Sequence, residues 1–229
     1  MLYTEESVRA NIRNRDGKRV FFLDDKDTLT PGARDYLHRE RIEIRPTSEA
    51  AIGEYRLLGG GVIHEKPEHM THLYGDVLVP KTHPRIGFRG AMDTLEAELL
   101  WCQASIKPPF SHRIGEILAL ARNLIRCEVL SEPMRQDKLC GLTEQQLRQR
   151  SHRPQDFFSQ PHFMPTAADG TVILLLNRCR CAVRAAELAA AHAFTDADGN
   201  CTRADILKAL NRMSSMVYIL MIQAKSEGS

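Results

Sequence analysis

The 229-residue sequence lacks a membrane-length apolar run, a Cys-x-x-Cys pair and an excess of charge of one sign. Its longest late uncharged run, between Arg212 and Lys225, holds 12 residues. A spanning helix needs about 20, so no membrane segment is expected. Lys and Arg total 31 against 29 Asp and Glu, a formal net charge of +2. A dedicated nucleic-acid binder shows a basic excess on one face, so that class is set aside. The start, Met1 to Glu6, carries acids where a secretory signal is basic and then apolar, so the chain is expected to be cytosolic. There is no cysteine before Cys102, and the six present are expected to be reduced thiols. Cys179 and Cys181 lie two apart on an expected helix and point to nearly opposite sides, a poor pair for one metal.

What is present is an ordinary globular composition, 43% apolar and 26% charged, long enough to bury a core without disulfide or metal staples. Three stretches differ in texture. Residues 1–61 read as a small mixed α/β unit. Thr4-Glu5-Glu6 opens a short helix, Val20 to Leu23 suits a strand, and Leu29-Thr30-Pro31 supplies an N-cap followed by Pro at the first helical position. Ile42-Glu43-Ile44 alternates like an edge strand. Gly59-Gly60-Gly61 signals a hinge or linker. Residues 62–90 carry histidines, prolines and basic residues with no helical period, and are expected to form a long functional loop. Residues 91–229 read as a bundle of five helices, near 91–106, 111–131, 143–151, 171–195 and 202–226, the last capped by Thr202. One stripe runs through Ile114, Ile117, Leu118, Ala121, Leu124 and Ile125. Another runs through Ile206, Ala209, Leu210, Met213, Met216, Val217, Leu220 and Met221.

The fourth helix carries the chemistry. Asn177, Arg180, Arg184 and Glu187 are spaced 3, 4 and 3, a narrow stripe at 100° per residue. The bland alternative is a solvated face with an Arg184–Glu187 pair. The apolar surroundings favour a stripe bordering a site. Two arginines one turn apart form a fork suited to phosphate oxygens. Arg178, on the other side, reads as a surface arginine. Lys208, Asn211, Arg212 and Ser215 make a second stripe that could complete a polar pocket. Asp93 either compensates its own helix N-terminus or holds one of the arginines. Thr71, His72 and Lys81 are donors suited to phosphate, and Gly75 permits close approach of an anion. His64, His69, His72 and His83 lack the spacing of a metal site. Phe163, before Pro165 and the Asp169-Gly170 turn, could line a large apolar ligand.

These residues carry a family resemblance. Lys81-Thr82-His83-Pro84-Arg85-Ile86 followed by Gly90-Ala91-Met92-Asp93 resembles the K-x-x-P-R-[IV]…G-x-x-D-E-L segment of the ATP:cob(I)alamin adenosyltransferases of the propanediol and human type. Arg180, Arg184 and Glu187 match their R-x-x-x-R-R-x-E motif. Leu210-Asn211-Arg212-Met213-Ser214 resembles their L-N-R-L-S segment. Leu29-Thr30-Pro31-x-Ala33-Arg34, Thr71-His72-Leu73 and Val79-Pro80-Lys81 are similar to the ethanolamine-utilisation subfamily. Ala185 replaces the second motif arginine, Thr94 replaces the glutamate of D-E-L, and the T-G-D-x-G phosphate loop is absent. Some members of the subfamily carry a histidine and a C-C-x-x-C cluster for a divalent metal just before T-H-L. This sequence has no cysteine there.

The resemblance implies a mainly α, five-helix-bundle adenosyltransferase with the small N-terminal unit attached and residues 62–90 as the nucleotide-binding loop. Its substrates would be ATP, with Mg²⁺, and cob(I)alamin, and its product would be adenosylcobalamin for ethanolamine ammonia-lyase. Arg180, Arg184, Asp93 and Phe163 would be catalytic, with Asp93 paired to Arg180 and Phe163 below the corrin ring. Thr71, His72, Lys81, Arg184, Glu187 and Asn211 would bind ATP. No resident metal is expected. A homo-oligomer is implied, a trimer or else a dimer, with ethanolamine ammonia-lyase, its reactivase and a bacterial microcompartment as associates. The rival readings from the residues alone are a non-catalytic helical module for nucleotides or anions, and a metal-sensing histidine protein.

Overall fold

Residues 1–15, 17–47 and 55–227 are described by the structure, a computed structural model; residues 48–54 of the expected N-terminal unit lie outside them. The chain divides into two compact units, Met1–Ile86 and Gly87–Ser229.

In the first unit, β1 (Leu2–Tyr3) pairs in parallel with β4 (Thr28–Leu29). Strand β3 (Lys18–Leu23) lies between β2 (Arg13–Arg15) and β5 (Glu43–Pro46), the latter parallel to it and at the edge as its alternation suggested. Helices α1 (Glu5–Ala10) and α2 (Pro31–Arg39) open on the side chains of Thr4 and Thr30, which accept from Ser7 N–H and Ala33 N–H. Val8, Phe21, Leu29, Ala33, Tyr36, Leu37 and Ile42 form the small core.

Residues 62–90 are not one irregular loop. They hold β7 (Val62–Ile63), β8 (Met70–Tyr74), β9 (Val77–Pro80) and the start of α3 (Pro84–Ser105). With β6 (Tyr55–Leu57) the strands make a four-stranded sheet in the order β7-β6-β9-β8. Two- to five-residue strands separated by turns leave too few repeats for a period to register in the sequence. The glycine run is a hairpin turn: Leu57 N–H donates to Gly61 O at 3.0 Å, and Gly60 and Gly61 take φ of 97° and 94°. Gly75 serves packing, because a Cβ there would meet the Ile12 carbonyl oxygen at 2.8 Å. Helix α3 begins seven residues before the expected 91. Pro84 takes its first position, and Arg85 N–H donates to His83 Nδ1 at 3.2 Å.

In the second unit the expected five helices are α3, α4 (Phe110–Val129), α5 (Glu144–His152), α7 (Gly170–Phe194) and α8 (Ala204–Ser226). The unit adds one turn, α6 (Pro154–Phe158), and the short hairpin β10 (Lys138–Leu139)–β11 (Leu142–Thr143). Both expected apolar stripes are in place; only Ile125 is part-exposed. Each large side chain so buried contributes about 1.5–3 kcal/mol. Helix α8 is buried beyond its stripe, adding Ile219, Ile222 and Ala224, so it runs through the middle of the core. Cys179 is buried and Cys181 exposed, as their spacing required. Thr202 does not cap α8. Its hydroxyl donates back to Phe194 O at 3.0 Å, closing the tight α7–α8 loop, and Arg203 takes the cap position. Among the described residues no helix is long and apolar enough to cross a membrane.

One charge is sealed in this core. Glu128 is fully buried on α4 and accepts from Arg89 Nε of α3 at 2.8 Å. A buried carboxylate stripped of its partner is strongly destabilising. Glu128→Ala leaves Arg89 with a route to solvent, so the expected loss is at the low end, about 3 kcal/mol by urea unfolding. A loss under about 1 kcal/mol would show that the pair does not hold α3 to α4.

Candidate active site

A cleft of about 690 Å³ in the second unit is lined from α7 by Asn177, Arg180 and Arg184 and from α8 by Asn211, Ser214, Ser215, Tyr218 and Met221. Ser151 and His152 at the end of α5 and His162 to Pro165 in the connection before α7 complete it. The two helices bring together residues 27 or more apart because α7 and α8 pack closely, and both bury small residues, Ala186 and Ala190 on α7 and Ala209 on α8.

The arginines of the α7 stripe have different fates. Arg184 is exposed, lines the cleft and has no hydrogen bond or ion pair among the described residues. The Arg184–Glu187 pair of the bland reading is not formed. Arg180 is half-buried, its guanidinium 5.1 Å above the Tyr218 ring and its Nε without a hydrogen-bond partner. Arg178 leaves the other side and binds Glu98 of α3 at 2.6 Å, still 61% exposed.

Asp93 does not hold Arg180 within this chain. It is exposed on α3 with no hydrogen bond or ion pair among the described residues. The ion link from α3 to α7 comes from Glu98, five residues on, about 140° around the helix from Asp93. Arg180 is held instead by a platform that sequence reasoning missed. His162 Nε2 lies 3.2 Å from the His152 carbonyl, which only accepts, so in the neutral ring Nε2 carries the proton and Nδ1 accepts from Tyr218 O–H at 2.9 Å. The two rings stack, 9° from parallel. Tyr218 was legible as the next turn of the Asn211–Ser215 stripe; His162 gave no periodic signal.

Phe163 lines the cleft, with Lys225 Nζ of α8 5.7 Å from its ring. Lys225 also pairs with Asp169, whose other carboxylate oxygen accepts from Thr166 N–H and hydroxyl. The Lys225 ammonium first, and then Thr166, hold the Asp169 carboxyl down at about 2. The Phe163 connection is thereby tied to both long helices.

The second stripe divides. Asn211 and Ser215 face the cleft, while Lys208 and Arg212 line a separate cavity of about 210 Å³. Asn211 Nδ2–H donates to Glu187 Oε1 at 3.1 Å, bringing the α7 carboxylate to the α8 amide.

Thr71, His72 and Lys81 belong to the first unit. As neighbours on β8, Thr71 and His72 leave opposite faces of the sheet. Pairing in register puts Thr71 with Val79, and Lys81 N–H donates to His69 O, so Thr71 and Lys81 share one face and His72 takes the other. His72 is half-buried 5.7 Å from the Tyr55 ring, and burial first, then Arg13 and Lys66, push its imidazole below its ordinary value. The Lys81 ammonium is exposed, 3.3 Å from Glu68. Among the described residues no group of three or more His, Cys, Asp or Glu is placed to hold a metal ion.

The family model for cobalamin adenosyltransferase matches residues 62–224. The chain is 36% identical to the corrinoid adenosyltransferase EutT of Escherichia coli and 31% identical to that of Salmonella typhimurium, in each case over 96% of this chain and 90% of the relative. Its fold resembles that of a variant PduO-type ATP:corrinoid adenosyltransferase from Lactobacillus reuteri complexed with cobalamin and ATP. The TM-score is 0.50 at 16% identity, over 78% of this chain and 92% of that one. With the arginine fork on α7, the Asn211–Glu187 contact across to α8 and the family model spanning both units, the chain belongs to the cobalamin adenosyltransferases.

Proposed function

We propose that the chain transfers the 5′-deoxyadenosyl group of ATP to the cobalt of cob(I)alamin, making adenosylcobalamin. The observation that carries this is Arg184, without a partner among the described residues, beside Arg180 in a cleft that also holds Phe163 and an Asn211 bonded to Glu187, in a chain of this family. Cobalt supplies the electron pair and forms the bond to C5′; the C5′–O5′ bond breaks and its electrons leave with the polyphosphate. The nucleophile belongs to the substrate, so the protein positions the reactants and neutralises charge. Arg184, with no partner to give up, meets the developing phosphate charge, and Arg180 on its Tyr218 platform flanks it. Lys81 and Thr71, sharing a strand face, are assigned to the phosphates, and His72 on the other face to the nucleotide as an N–H donor. Glu187 and Asn211 orient the nucleotide. Phe163 takes the lower face of the corrin ring, where an apolar side chain displaces the axial ligand and excludes water.

Glu187 is engaged by Asn211, and no carboxylate is among the cleft's lining residues, so the described residues offer Mg²⁺ no cage. Mg²⁺ fits as part of the ATP chelate, keeping waters and shielding the leaving phosphates. A homo-oligomer, with a trimer preferred to a dimer, fits an Asp93 with no partner among the described residues: Asp93 of one copy would meet Arg180 of another. Exposed Leu100 and Trp101 on α3 and Leu174 and Leu188 on α7 offer the apolar surface for such contacts. The ethanolamine-type motifs support a cytoplasmic enzyme serving ethanolamine ammonia-lyase, with its reactivase and a microcompartment as associates.

Two measurements test this reading. Arg184→Ala removes a contact that strengthens as phosphate charge develops, and kcat/KM is expected to fall by about 2–4 kcal/mol in transition-state stabilisation. Arg178→Ala removes an exposed ion pair worth at most about 1 kcal/mol of stability and leaves turnover unchanged. Equal loss in both variants would contradict the two-sided reading of α7. Protein stripped with EDTA and supplied with Mg²⁺ and ATP alone is expected to keep full activity, since its first 101 residues contain no thiolate for a soft-metal site. Stoichiometric zinc or iron whose removal abolishes activity and whose return restores it would overturn the proposal.

A further inference from the structure

Arg212 sits between two cavities. It lines the smaller one with Lys208 and Glu144, while its Nη2 reaches back to donate to Asn211 Oδ1 at 2.8 Å. Asn211 then donates through Nδ2 to Glu187 Oε1 at 3.1 Å. The order of these groups is forced by their chemistry. A guanidinium only donates and an ionised carboxylate only accepts. The Asn211 amide between them therefore has one orientation, oxygen toward Arg212 and NH₂ toward Glu187. Turned over, it would set N–H against guanidinium N–H and oxygen against carboxylate oxygen.

We propose that Arg212 is a positioning residue for the nucleotide: it locks the Asn211 amide and, through it, the Glu187 carboxylate. The inference rests on the assignment of Asn211 and Glu187 to ATP. Two features fit Arg212 to this task. Its Nε is shut away from solvent with no hydrogen-bond partner, so the head group is fixed by packing. Glu144 lines the same cavity in an ion pair with Lys208, and its carboxyl is held below its usual range by the Lys208 ammonium first and by Arg212 among the further cations. The lock leaves a defined pattern for a ligand: a second Asn211 N–H as donor on the cleft wall and, beside it, the second Glu187 oxygen as acceptor. A ligand held there must accept from the first and donate to the second, as a hydroxyl-bearing sugar can.

The test is a double-mutant cycle on the Mg²⁺-supplied enzyme, reading KM for ATP and kcat separately. Arg212→Met is expected to raise KM for ATP about 10-fold, the scale of a lost hydrogen bond from a charged group, with kcat changed far less. Arg212→Lys, which keeps a donor and the charge, is expected to recover part of that loss. In an Asn211→Ala background, Arg212→Met is expected to add nothing further. Full additivity, or an unchanged KM in Arg212→Met with Asn211→Ala impaired, overturns the inference alone. An unchanged KM in Asn211→Ala overturns it together with the nucleotide assignment beneath it. Equal loss in Arg212→Met and Arg212→Lys, with a matching drop in thermal midpoint, overturns it in favour of a packing role.

Discussion

The close packing of α7 on α8 is the contact on which the rest of the second unit depends. Both helices bury small residues, Ala186, Ala190 and Ala209, and their packing sets the distances between the α7 and α8 side chains of the cleft. It places Tyr218 under Arg180 and Asn211 beside Glu187, while Lys225 of α8 reaches Phe163 in the connection before α7. None of these pairs lies within one helix, so none survives a change in the crossing. The short loop between the helices, closed by Thr202 on Phe194, limits how far they can slide.

Within α7, rotation about the helix axis decides function. Arg178 and Arg184 are similar in exposure class and share a helix. Yet Arg178 meets a carboxylate from α3, while Arg184 meets none among the described residues. A guanidinium already paired gains little from a phosphate, because the new contact replaces an old one. One left facing open space gains the whole charge-assisted interaction when the anion arrives. Arg180 is intermediate: an aromatic face stabilises its charge without occupying its donors.

Periodicity made this much of the molecule legible. The stripes of α4, α7 and α8 are long enough for a 3.6-residue period to separate core from cleft, and Asn177, Arg180, Arg184 and Asn211 were placed by it. Where elements are short the signal fails. The β8–β9 hairpin spans 11 residues with a turn at Gly75, and its alternation was hidden in a stretch that read as a loop. Partners from other elements were invisible as well. The Asp93–Arg180 pair came from the resemblance, and no spacing within a chain can say that Glu98 rather than Asp93 reaches across to α7. Neither could the sequence show that His72 and Thr71 part company across the sheet until the strand was known.

The account as a whole holds that this chain, through α7 and α8, positions ATP against a nucleophilic cobalt. The most direct measurement mixes cob(I)alamin, ATP, Mg²⁺ and the protein under reducing, oxygen-free conditions and follows the visible spectrum. The account predicts protein-dependent loss of the cob(I)alamin bands and growth of those of adenosylcobalamin, which then revert on exposure to light as its cobalt–carbon bond breaks. Tight binding of ATP with an unchanged cob(I)alamin spectrum would contradict it and leave the cleft a nucleotide-binding module.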